Sequence, residues 1–434
     1  MPDLPTDYIA HDSRSSVTAI NNANIEINSL RARATALEAG GGGGGGGGFG
    51  NGIIVASSQA STADKARAHY VCDGAGDQDQ INLAIEDAAV LRANAKTDNT
   101  GAADDLGSHW TTTSRQAGKV ILLGGRYNIS GPILMRTGVW LQGSGFLTEL
   151  RATTNNGTAV IRLNPQAGLG DGSAAHLTYV SNLWIYGNYG SGGTCKAIDY
   201  DMTGSSGGTE TRGYPAINPD SYHYVVDCLI TGFAGANRDG VFIHSTGTAN
   251  NRGNIIRGLQ IRDCGRDGIS FSSASDSFIS ECHIGGSVRY GYNISTGNTK
   301  VTGCKSFYSV VAGFFFGSGR GTLTGLEAQD DKIGFHFSGV PYVATSLVAD
   351  SCEIGVKVST DRLVMTSFSV FHRGVTGPYP ATLTGLQFDS AYADMLILGQ
   401  VDNSNVTTPI SATLPGTRSF MRVSNGTTLV SVGT

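Results

Sequence analysis

The sequence predicts an all-β fold in which one chain winds as a single-stranded parallel β-helix of about 21–23 residues per coil. Its composition favours short strands joined by tight turns, because 62 residues are glycine and only 15% are charged. Two apolar columns repeat with this period. The first column comprises Leu259, Cys282, Cys304, Leu326, Leu347 and Phe368. The second comprises Ile269, Tyr292, Phe314, Phe335 and Val356.

The period itself excludes other repeat folds. A repeat of this length is too short for a propeller blade, and it has no helical stripe of the kind that leucine-rich or ankyrin repeats contain. It suits a solenoid in which each coil covers the apolar face of the previous one. A glycine precedes every member of the second column, and we expect a recurrent turn there: Gly268, Gly291, Gly313, Gly334 and Gly355.

Residues 13–39 contain three short heptads that predict a coiled coil. The predicted oligomerisation residues are Ile20, Ile27, Leu30, Arg33, Ala34, Leu37 and Glu38. Ile at position a with Leu at position d favours two strands. The segment RATALE (33–38) instead resembles a trimerisation signature in which the arginine binds a neighbouring chain's glutamate, so we predict a parallel trimer. A lone amphipathic helix packed on a partner is the alternative.

A glycine-rich linker, residues 40–52, separates this segment from the solenoid. A flexible run of nine glycines spans on the order of 15–18 Å and would absorb the change in diameter between a narrow stalk and a wide solenoid. The alternative is an extended bundle of three glycine runs with three residues per turn. Residues 1–12 are predicted to be an attachment segment.

A helix is predicted over residues 79–95, with Asp77 or Asp79 as its N-cap. Its apolar stripe consists of Ile81, Ala84, Ile85, Ala88 and Leu91. We expect this helix to cover the open N-terminal end of the solenoid, which occupies residues 53–395. Residues 396–434 lose the repeat, which predicts a C-terminal cap or a trimerisation segment.

Charge and cysteine content narrow the function classes. The net charge is −5 without a long basic or acidic run, which argues against partners such as nucleic acid or an anionic membrane. The sequence shows neither a signal peptide pattern nor a membrane span, so a soluble chain made in a cytoplasm is expected. The seven cysteines lack zinc spacing and are predicted to be small buried hydrophobes, and nothing predicts a metal or a cofactor.

Three motifs resemble the right-handed β-helix proteins of the pectate-lyase superfamily: DGAGDQDQINLAI (73–85), VILLGGRYNI (120–129) and GVWLQGSG (138–145). A coiled coil, a glycine run and a β-helix in that order look like a phage tailspike or tail fibre. The resemblance implies a homotrimer in the virion tail that is assembled in the host cytoplasm and acts extracellularly. It also implies N-terminal attachment to other tail or baseplate proteins and binding of a bacterial surface polysaccharide. Two alternatives stay open: the same component acting as a depolymerase, and a bacterial polysaccharide-modifying enzyme unrelated to virions.

Residues next to the first column are predicted to point outward and to bind glycan, because aromatic rings stack on sugars while polar groups bond their hydroxyls. The predicted glycan-binding residues are Trp184, Tyr186, Arg262, Glu281 and Phe307, with Tyr214 and Tyr222 in a long insertion.

Candidate catalytic residues lie on the same face. Glu327 and Asp350 are one coil and two positions apart, a separation on the order of 8 Å that suits an inverting glycosidase. The alternative is that both are solvated surface acids. His283 with Lys305 on the next coil is a second candidate, a lyase base with its helper, or a plain surface pair. The chain contains Asp330-Asp331 but neither the Gly-His-Gly nor the Arg-x-Lys motif of polygalacturonases, so their activity does not transfer.

Overall fold

The computed structural model describes residues 52–97, 118–136, 138–154, 159–163, 178–187, 195–201, 223–245, 251–339, 341–374, 378–379, 382–402, 405–411, 416, 418–425 and 428–433. The coiled-coil residues Ile20 to Glu38, the glycine run, Tyr214 and Tyr222 therefore lie outside the described residues. The predictions made for them, and the division of the chain into domains, stay predictions.

Short strands make up most of the described chain. The helices are α1 (Thr62–Arg67), α2 (Gln78–Thr97) and a 3₁₀ turn at Gly145–Leu147. The strands before residue 250 are β1 Ile53–Ala56, β2 Tyr70–Val71, β3 Lys119–Leu122, β4 Gly125–Ile129, β5 Ile133–Met135, β6 Trp140–Gln142, β7 Thr148–Ala152, β8 Ala159–Leu163, β9 Tyr179–Ser181, β10 Trp184–Tyr186, β11 Lys196–Asp201, β12 Tyr224–Val226, β13 Leu229–Phe233 and β14 Val241–His244. The later strands are β15 Asn251–Arg252, β16 Ile255–Arg257, β17 Gln260–Cys264, β18 Ile269–Ser272, β19 Ala274–Ser275, β20 Phe278–Ser280, β21 His283–Gly285, β22 Tyr290–Ser295, β23 Thr299–Thr302, β24 Lys305–Phe307, β25 Ala312–Phe316, β26 Gly321–Gln329, β27 Ile333–Phe337, β28 Tyr342–Asp350, β29 Ile354–Val358, β30 Leu363–Phe371, β31 Thr382–Phe388, β32 Leu396–Val401, β33 Val406–Ile410, β34 Phe420–Asn425 and β35 Thr428–Gly433.

These strands form a 22-stranded sheet, an 11-stranded sheet and one small two-stranded sheet. Successive strands of each large sheet belong to successive coils and pair in parallel, for example β26 with β28 and β28 with β30. The predicted parallel β-helix is therefore confirmed.

Both predicted columns are observed as register partners in the interior. Leu326 pairs with Leu347, which pairs with Phe368. In the second column the stacked rings of Tyr292 and Phe314 lie 4.5 Å apart, nearly parallel at 4°. Every member of both columns is buried, so the period read from the sequence is the period of the core.

The glycines before the second column are not turn residues, so that prediction is wrong. Four of the five lie inside strands of the 11-stranded sheet, and Gly268 directly precedes one. A Cβ atom on any of them would sit 2.6 to 3.1 Å from the carbonyl oxygen of the equivalent glycine one coil later. These glycines are needed because the backbones of adjacent coils approach closely, and their φ angles are not positive.

A different set of residues forms the recurrent bend. The 22-stranded sheet folds into two halves at a corner one residue before the first column, where the backbone is left-handed. This corner contains Asn182, Asp227, Gly258, Glu281, Gly303, Gly325, Ser346 and Ser367, with φ between +53° and +66°. Glycine, asparagine and aspartate tolerate this conformation best, which explains much of the choice of residues.

Helix α2 covers the N-terminal end of the solenoid, as predicted. Ile81, Ala84, Ile85 and Ala88 are buried against the first strands. The Asn82 side-chain oxygen accepts a hydrogen bond from Leu134 N–H at 2.8 Å, which satisfies a donor of β5, the edge strand of the 11-stranded sheet. Neither described helix is long and apolar enough to cross a bilayer.

Asp77 does not cap this helix with its side chain. Its carboxylate accepts hydrogen bonds from the backbone N–H of Gly74 at 2.8 Å and of Asn128 at 2.7 Å. Asp77 nevertheless occupies the predicted N-cap position, because it directly precedes Gln78 and its carbonyl oxygen accepts a hydrogen bond from the Ile81 N–H at 3.2 Å. Its carboxylate instead closes the preceding turn and joins that turn to β4.

Parallel pairing continues beyond residue 395, because β32 pairs with β30 and β34 pairs with β32. The antiparallel strand β35 then pairs with β34. The solenoid thus extends further than the repeat in the sequence indicated. All seven cysteines are buried and unpaired with one another, as predicted.

Candidate functional site

Three outer faces run along the solenoid. We call the outer side of the 22-stranded sheet before the left-handed corner the first face, and its outer side after the corner the second face. The outer side of the 11-stranded sheet is the third face. The predicted glycan-binding and catalytic residues within the described chain all lie on the second face, except Glu281, which is exposed at the corner.

Two outward ladders line the second face in register. One runs through Arg126, Glu149, Trp184, Leu229, Gln260, His283, Lys305, Glu327 and Val348. The other runs through Asn128, Arg151, Tyr186, Thr231, Arg262, Gly285, Phe307, Gln329, Asp350 and Phe371. The second face therefore combines aromatic rings with cations, carboxylates and neutral polar groups.

Arg262 and Phe307 form the best-defined contact of this face. The Arg262 Cζ atom lies 4.2 Å from the centre of the Phe307 ring. Gly285 separates the two residues in the ladder, and a Cβ there would collide with the ring and sit 2.9 Å from an Arg262 nitrogen. The missing side chain is what lets the guanidinium reach an aromatic ring two coils away.

A second cation lies over an aromatic ring nearer the N-terminus. The Arg151 Cζ atom is 4.6 Å from the Tyr186 ring centre, and the Trp184 and Tyr186 rings meet edge to face at 5.9 Å. The Trp184 indole N–H donates to the Thr231 hydroxyl at 2.9 Å. A cavity of about 570 Å³ lies at the start of the same ladder, lined by Gly74, Ala75, Gly76, Asp79, Asn128, Ser130 and Thr153.

The predicted catalytic residues come together along the second face, but their carboxylates have internal partners. His283 and Lys305 are register partners on adjacent coils. Lys305 Nζ donates to Glu327 at 2.7 Å, which neutralises both charges.

Asp350 is buried, and its carboxylate pairs with Arg373 Nε at 2.9 Å and accepts from the Ser351 hydroxyl at 2.8 Å. The catalytic roles of Glu327, Asp350, His283 and Lys305 stay predictions.

The first face has few charged residues, and those in its two ladders are cations. Its outward ladder runs through Lys119, Trp140, Tyr179, Tyr224, Ile255, Phe278, Lys300, Thr322, Val343, Val364, Leu396 and Phe420. The neighbouring ladder contains Arg257, Ser280, Thr302, Thr324, Thr345 and Thr366. Neither of these described ladders contains a carboxylate. Phe278, Val343 and Phe420 are 46–50% exposed, so this face presents apolar surface along its length.

The third face contains a cluster that the sequence analysis missed. His244 Nε2 lies 2.9 Å from Asp199 Oδ1, and His244 Nδ1 lies 3.7 Å from Asp201 Oδ1. The His244 ring stacks on Phe242 at 4.0 Å, and Lys196 Nζ donates to Asp199 at 2.8 Å. Outward positions Asp199 and Asp201 on β11 face Phe242 and His244 on β14.

Electrostatics fix the charge of one member of this cluster. Burial by itself would raise the pKa of Asp199, but the hydrogen bonds from His244 and Lys196 outweigh it and hold that pKa below its usual value. Asp199 is therefore ionised near neutral pH. Alternation of side chains in the segments DYD (199–201) and FIH (242–244) predicts that these residues point outward. The sequence analysis missed them because it matched coils by a spacing of 21–23 residues, and a long insertion between the two segments breaks that spacing.

No protein-family model and no curated protein matches this chain. Solved structures similar to it include the A-module of mannuronan C-5 epimerase AlgE6 from Azotobacter vinelandii, at 13% identity and a TM-score of 0.48, covering 82% of this chain and 97% of that one. ORF18 of Geobacillus virus E2 is similar at 14% identity and a TM-score of 0.43, over 82% of this chain and 61% of that one.

Tailspike protein 2 of the Escherichia coli O157:H7 bacteriophage CAB120 is similar at 13% identity and a TM-score of 0.48, covering 70% of this chain and 41% of that one. Phage tailspikes and enzymes with names from polysaccharide chemistry are thus among the structures that resemble this solenoid. Similarities this low do not define its activity.

Proposed function

We propose that this chain is a phage tail protein that binds a bacterial surface polysaccharide along its second face. The observation that carries the proposal is the pair of in-register ladders that present aromatic rings, cations and neutral polar groups on successive coils of one face. Coils stack at about 4.8 Å, close to the length of one sugar residue, so an extended glycan laid along the solenoid meets a new pair of side chains at each coil.

The proposed contacts are Trp184, Tyr186, Arg262 and Phe307, with Glu281 at the corner. Half-exposed rings supply apolar surface for sugar faces, and the guanidinium of Arg262 supplies several donors for hydroxyl or carboxylate oxygens. Arg262 is held over Phe307 before any ligand arrives, which lowers the entropy lost on binding.

The tail location and a homotrimer are parts of the same proposal. They are supported by the order of predicted coiled coil, glycine run and solenoid in the sequence, and the N-terminus is proposed to attach to other tail proteins.

We place the first face at the contact between copies of this chain. If residues 13–39 form the predicted coiled coil, a flexible linker over residues 40–52 would hold each solenoid within about 20 Å of its axis, so even a weak apolar contact would form at the resulting effective concentration.

Depolymerase activity is the second candidate function. It is favoured by the register that places His283, Lys305 and Glu327 on successive coils of the second face. Glu327 and Asp350 remain the proposed hydrolytic pair on the second face, with His283 and Lys305 as the alternative lyase pair.

The test of the proposal is calorimetric binding of the full chain to a panel of purified bacterial surface polysaccharides. The wild type is compared with Arg262→Ala and with Lys357→Ala, which removes one cation from the third face instead. The proposal expects binding to at least one polysaccharide, a severalfold loss in Arg262→Ala and no change in Lys357→Ala. Equal affinities for all three proteins would contradict it.

A further inference from the structure

The backbone is also left-handed where the chain leaves the second face toward the third face. We call this bend the second corner. On five successive coils its residues are Asp263, Gly286, Tyr308, Asp330 and Ser351, with φ between +54° and +71°. Tyr308 is the bulky member of this set, and a bulky side chain with positive φ is strained. Strain of this kind persists where the surrounding structure imposes it, and it clusters at functional positions.

The side chain of Tyr308 points to solvent beside the proposed ligand contacts. It is 51% exposed, and its ring meets the Phe307 ring edge to face, with the ring centres 5.6 Å apart and the planes at 81°. Phe307 in turn lies 4.2 Å from the Arg262 guanidinium. Two aromatic rings and a cation are therefore contiguous at this point of the second face, and the Tyr308 hydroxyl can in addition donate or accept a hydrogen bond.

Asp331 holds this turn from the interior. Its Oδ1 atom accepts a hydrogen bond from the Ser309 N–H at 2.6 Å and from the Ser306 hydroxyl at 3.3 Å. The two serine hydroxyls lie 3.1 Å from one another. All three side chains are buried, which strengthens these bonds by shielding them from water. One carboxyl group thus fixes the residues on both sides of Phe307 and Tyr308.

We infer that Tyr308 is a further glycan-contact residue of the second face and that Asp331 is the residue that positions it. This inference rests on the proposed polysaccharide ligand and extends its contacts to the second corner. A sugar ring stacked on Phe307 also meets the Tyr308 ring. Because the strained turn is held before the ligand arrives, little conformational entropy is lost when the two rings are covered. Asp331 itself is fully buried and acts only through the turn.

The turn is held best when Asp331 is protonated. Its other oxygen, Oδ2, has no hydrogen-bond partner in the described part of the chain, and a Cβ at Gly313 would collide with it. The titratable groups that face this carboxyl are acidic or neutral: Asp330, Tyr292, Cys352 and Tyr379. Arg373 is engaged by Asp330 and Asp350 instead.

Ionisation of Asp331 would therefore place an uncompensated charge beneath the turn. Burial raises the pKa of this carboxyl to about 7. Above that pH the buried charge favours entry of water, which separates the carboxyl from Ser306 and Ser309 and releases the two rings. Ligand affinity should consequently fall as the pH rises through neutrality.

The first test measures calorimetric binding of the full chain to the bacterial surface polysaccharide that it binds most tightly. Tyr308→Ala should bind about 3- to 10-fold more weakly than the wild type, because one of the two rings is lost. Leu383→Ala is the matched control. It removes a side chain of nearly equal exposure from the 11-stranded sheet and should keep the wild-type affinity.

The second test examines Asp331 with two substitutions at two pH values. Asp331→Asn keeps an oxygen that can accept from Ser309 and cannot ionise, whereas Asp331→Ala leaves the buried Ser309 amide unpaired. At pH 6, Asp331→Ala should lose affinity by about tenfold, and Asp331→Asn should restore most of that loss.

The pH dependence distinguishes positioning from a general structural role. Between pH 6 and pH 8 the affinity of the wild type should fall by about three- to tenfold, and that of Asp331→Asn should fall by less. Comparison with the variant removes the contribution of all other titrating groups. A general structural role would not make the pH dependence of binding disappear with an isosteric change.

Three results would overturn the inference. They are full affinity in Tyr308→Ala, an equal loss in Leu383→Ala, and a pH dependence of affinity that is unchanged in Asp331→Asn. If Asp331→Ala does not fold, the comparison of the wild type with Asp331→Asn still decides the role of Asp331. Arg262→Ala is measured in parallel. If it weakens binding while Tyr308→Ala does not, this inference fails alone, whereas absence of binding to any polysaccharide rejects the proposed function as well.

Discussion

Arg262 lies over the ring of Phe307 because Gly285, between them in the ladder, has no side chain. The contact joins residues on two coils that are not adjacent. The arrangement of these two residues on the proposed ligand-binding face therefore depends on the glycine between them. If the second face binds the proposed ligand, Gly285 contributes to binding although it has no group that could touch that ligand.

Gly285→Ala should therefore weaken polysaccharide binding, by about 5- to 30-fold, because the new methyl displaces the Phe307 ring and with it the guanidinium. Stability should change little, since Phe307 is half-exposed and has room to move outward. Gly297→Ala is the matched control, because a Cβ there meets nothing within 4 Å. Calorimetric titration of both variants checks this, and unaltered affinity in Gly285→Ala would contradict it.

Gly355→Ala tests the close approach of coils in the 11-stranded sheet. A Cβ at this position would collide with Val370 and sit 2.7 Å from the carbonyl oxygen of Gly385. Because the obstacle is partly backbone, the coils must separate, and we expect a loss of about 1–3 kcal/mol. Urea denaturation measures the loss. A midpoint equal to that of the wild type would show that the coils can move apart freely.

The outcome at these glycines illustrates what the sequence could predict. The period of the glycines that precede the second column was evident in the sequence. That period predicted the solenoid, the two interior columns and the outward register of Lys305 and Glu327. The sequence could not predict the backbone conformation of these glycines, because glycine is equally typical of a left-handed turn and of a close contact between backbones. Only the neighbouring coil distinguishes the two.

The candidate sites were predictable to a smaller extent. Lys305 and Glu327 were expected on one face and lie there. The ion pair between them could not be predicted, because it depends on the conformations of the two side chains, which the repeat spacing does not determine. Asp350 has the predicted register and is nevertheless buried, and its carboxylate pairs with Arg373, which lies just beyond the end of β30 on the next coil. His244 and Asp199 were missed since an insertion of no fixed length separates their strands.

Arg373→Ala should destabilise the solenoid by about 2–3 kcal/mol. Arg373 pairs with Asp350 at 2.9 Å and with Asp330 at 2.8 Å, and both carboxylates are buried, so its removal leaves two uncompensated charges. The estimate is below that for a fully buried pair because Arg373 itself is 37% exposed. Arg418→Ala, which breaks a surface pair with Asp394, should lose at most about 0.5 kcal/mol. Equal losses in the two variants would contradict this ranking.

Asp331 should make stability fall as the pH rises from about 4 to 7. Burial raises the pKa of its carboxyl to about 7, although the Ser309 amide and the Ser306 and Ser309 hydroxyls donate to it. Its unfolded value is about 3.9, so over this interval the folded state holds a proton that the unfolded state has released.

The measurement compares urea midpoints at pH 5 and pH 8 for the wild type and Asp331→Asn. Subtracting the variant removes the contribution of the other titrating groups. The wild type should lose more stability than the variant between the two pH values. Parallel losses would show that Asp331 does not titrate in this range.

Val343→Glu should dissociate or weaken the proposed trimer, because it buries a charge at the apolar contact between first faces. Leu383→Glu is the control, since it places the same charge at a residue of equal exposure in the 11-stranded sheet. Sedimentation of the full chain checks the assembly state. Dissociation by Leu383→Glu and not by Val343→Glu would move the contact to another face.

The central claim is that a bacterial surface polysaccharide lies along the second face. The most direct measurement is a crystal structure of the full chain with an oligosaccharide from the polysaccharide that it binds most tightly. The account predicts sugar rings within about 4 Å of Phe307, with a hydroxyl or carboxylate oxygen bonded to Arg262. Sugars seated on the first face, or a second face left bare while the ligand binds elsewhere, would contradict it.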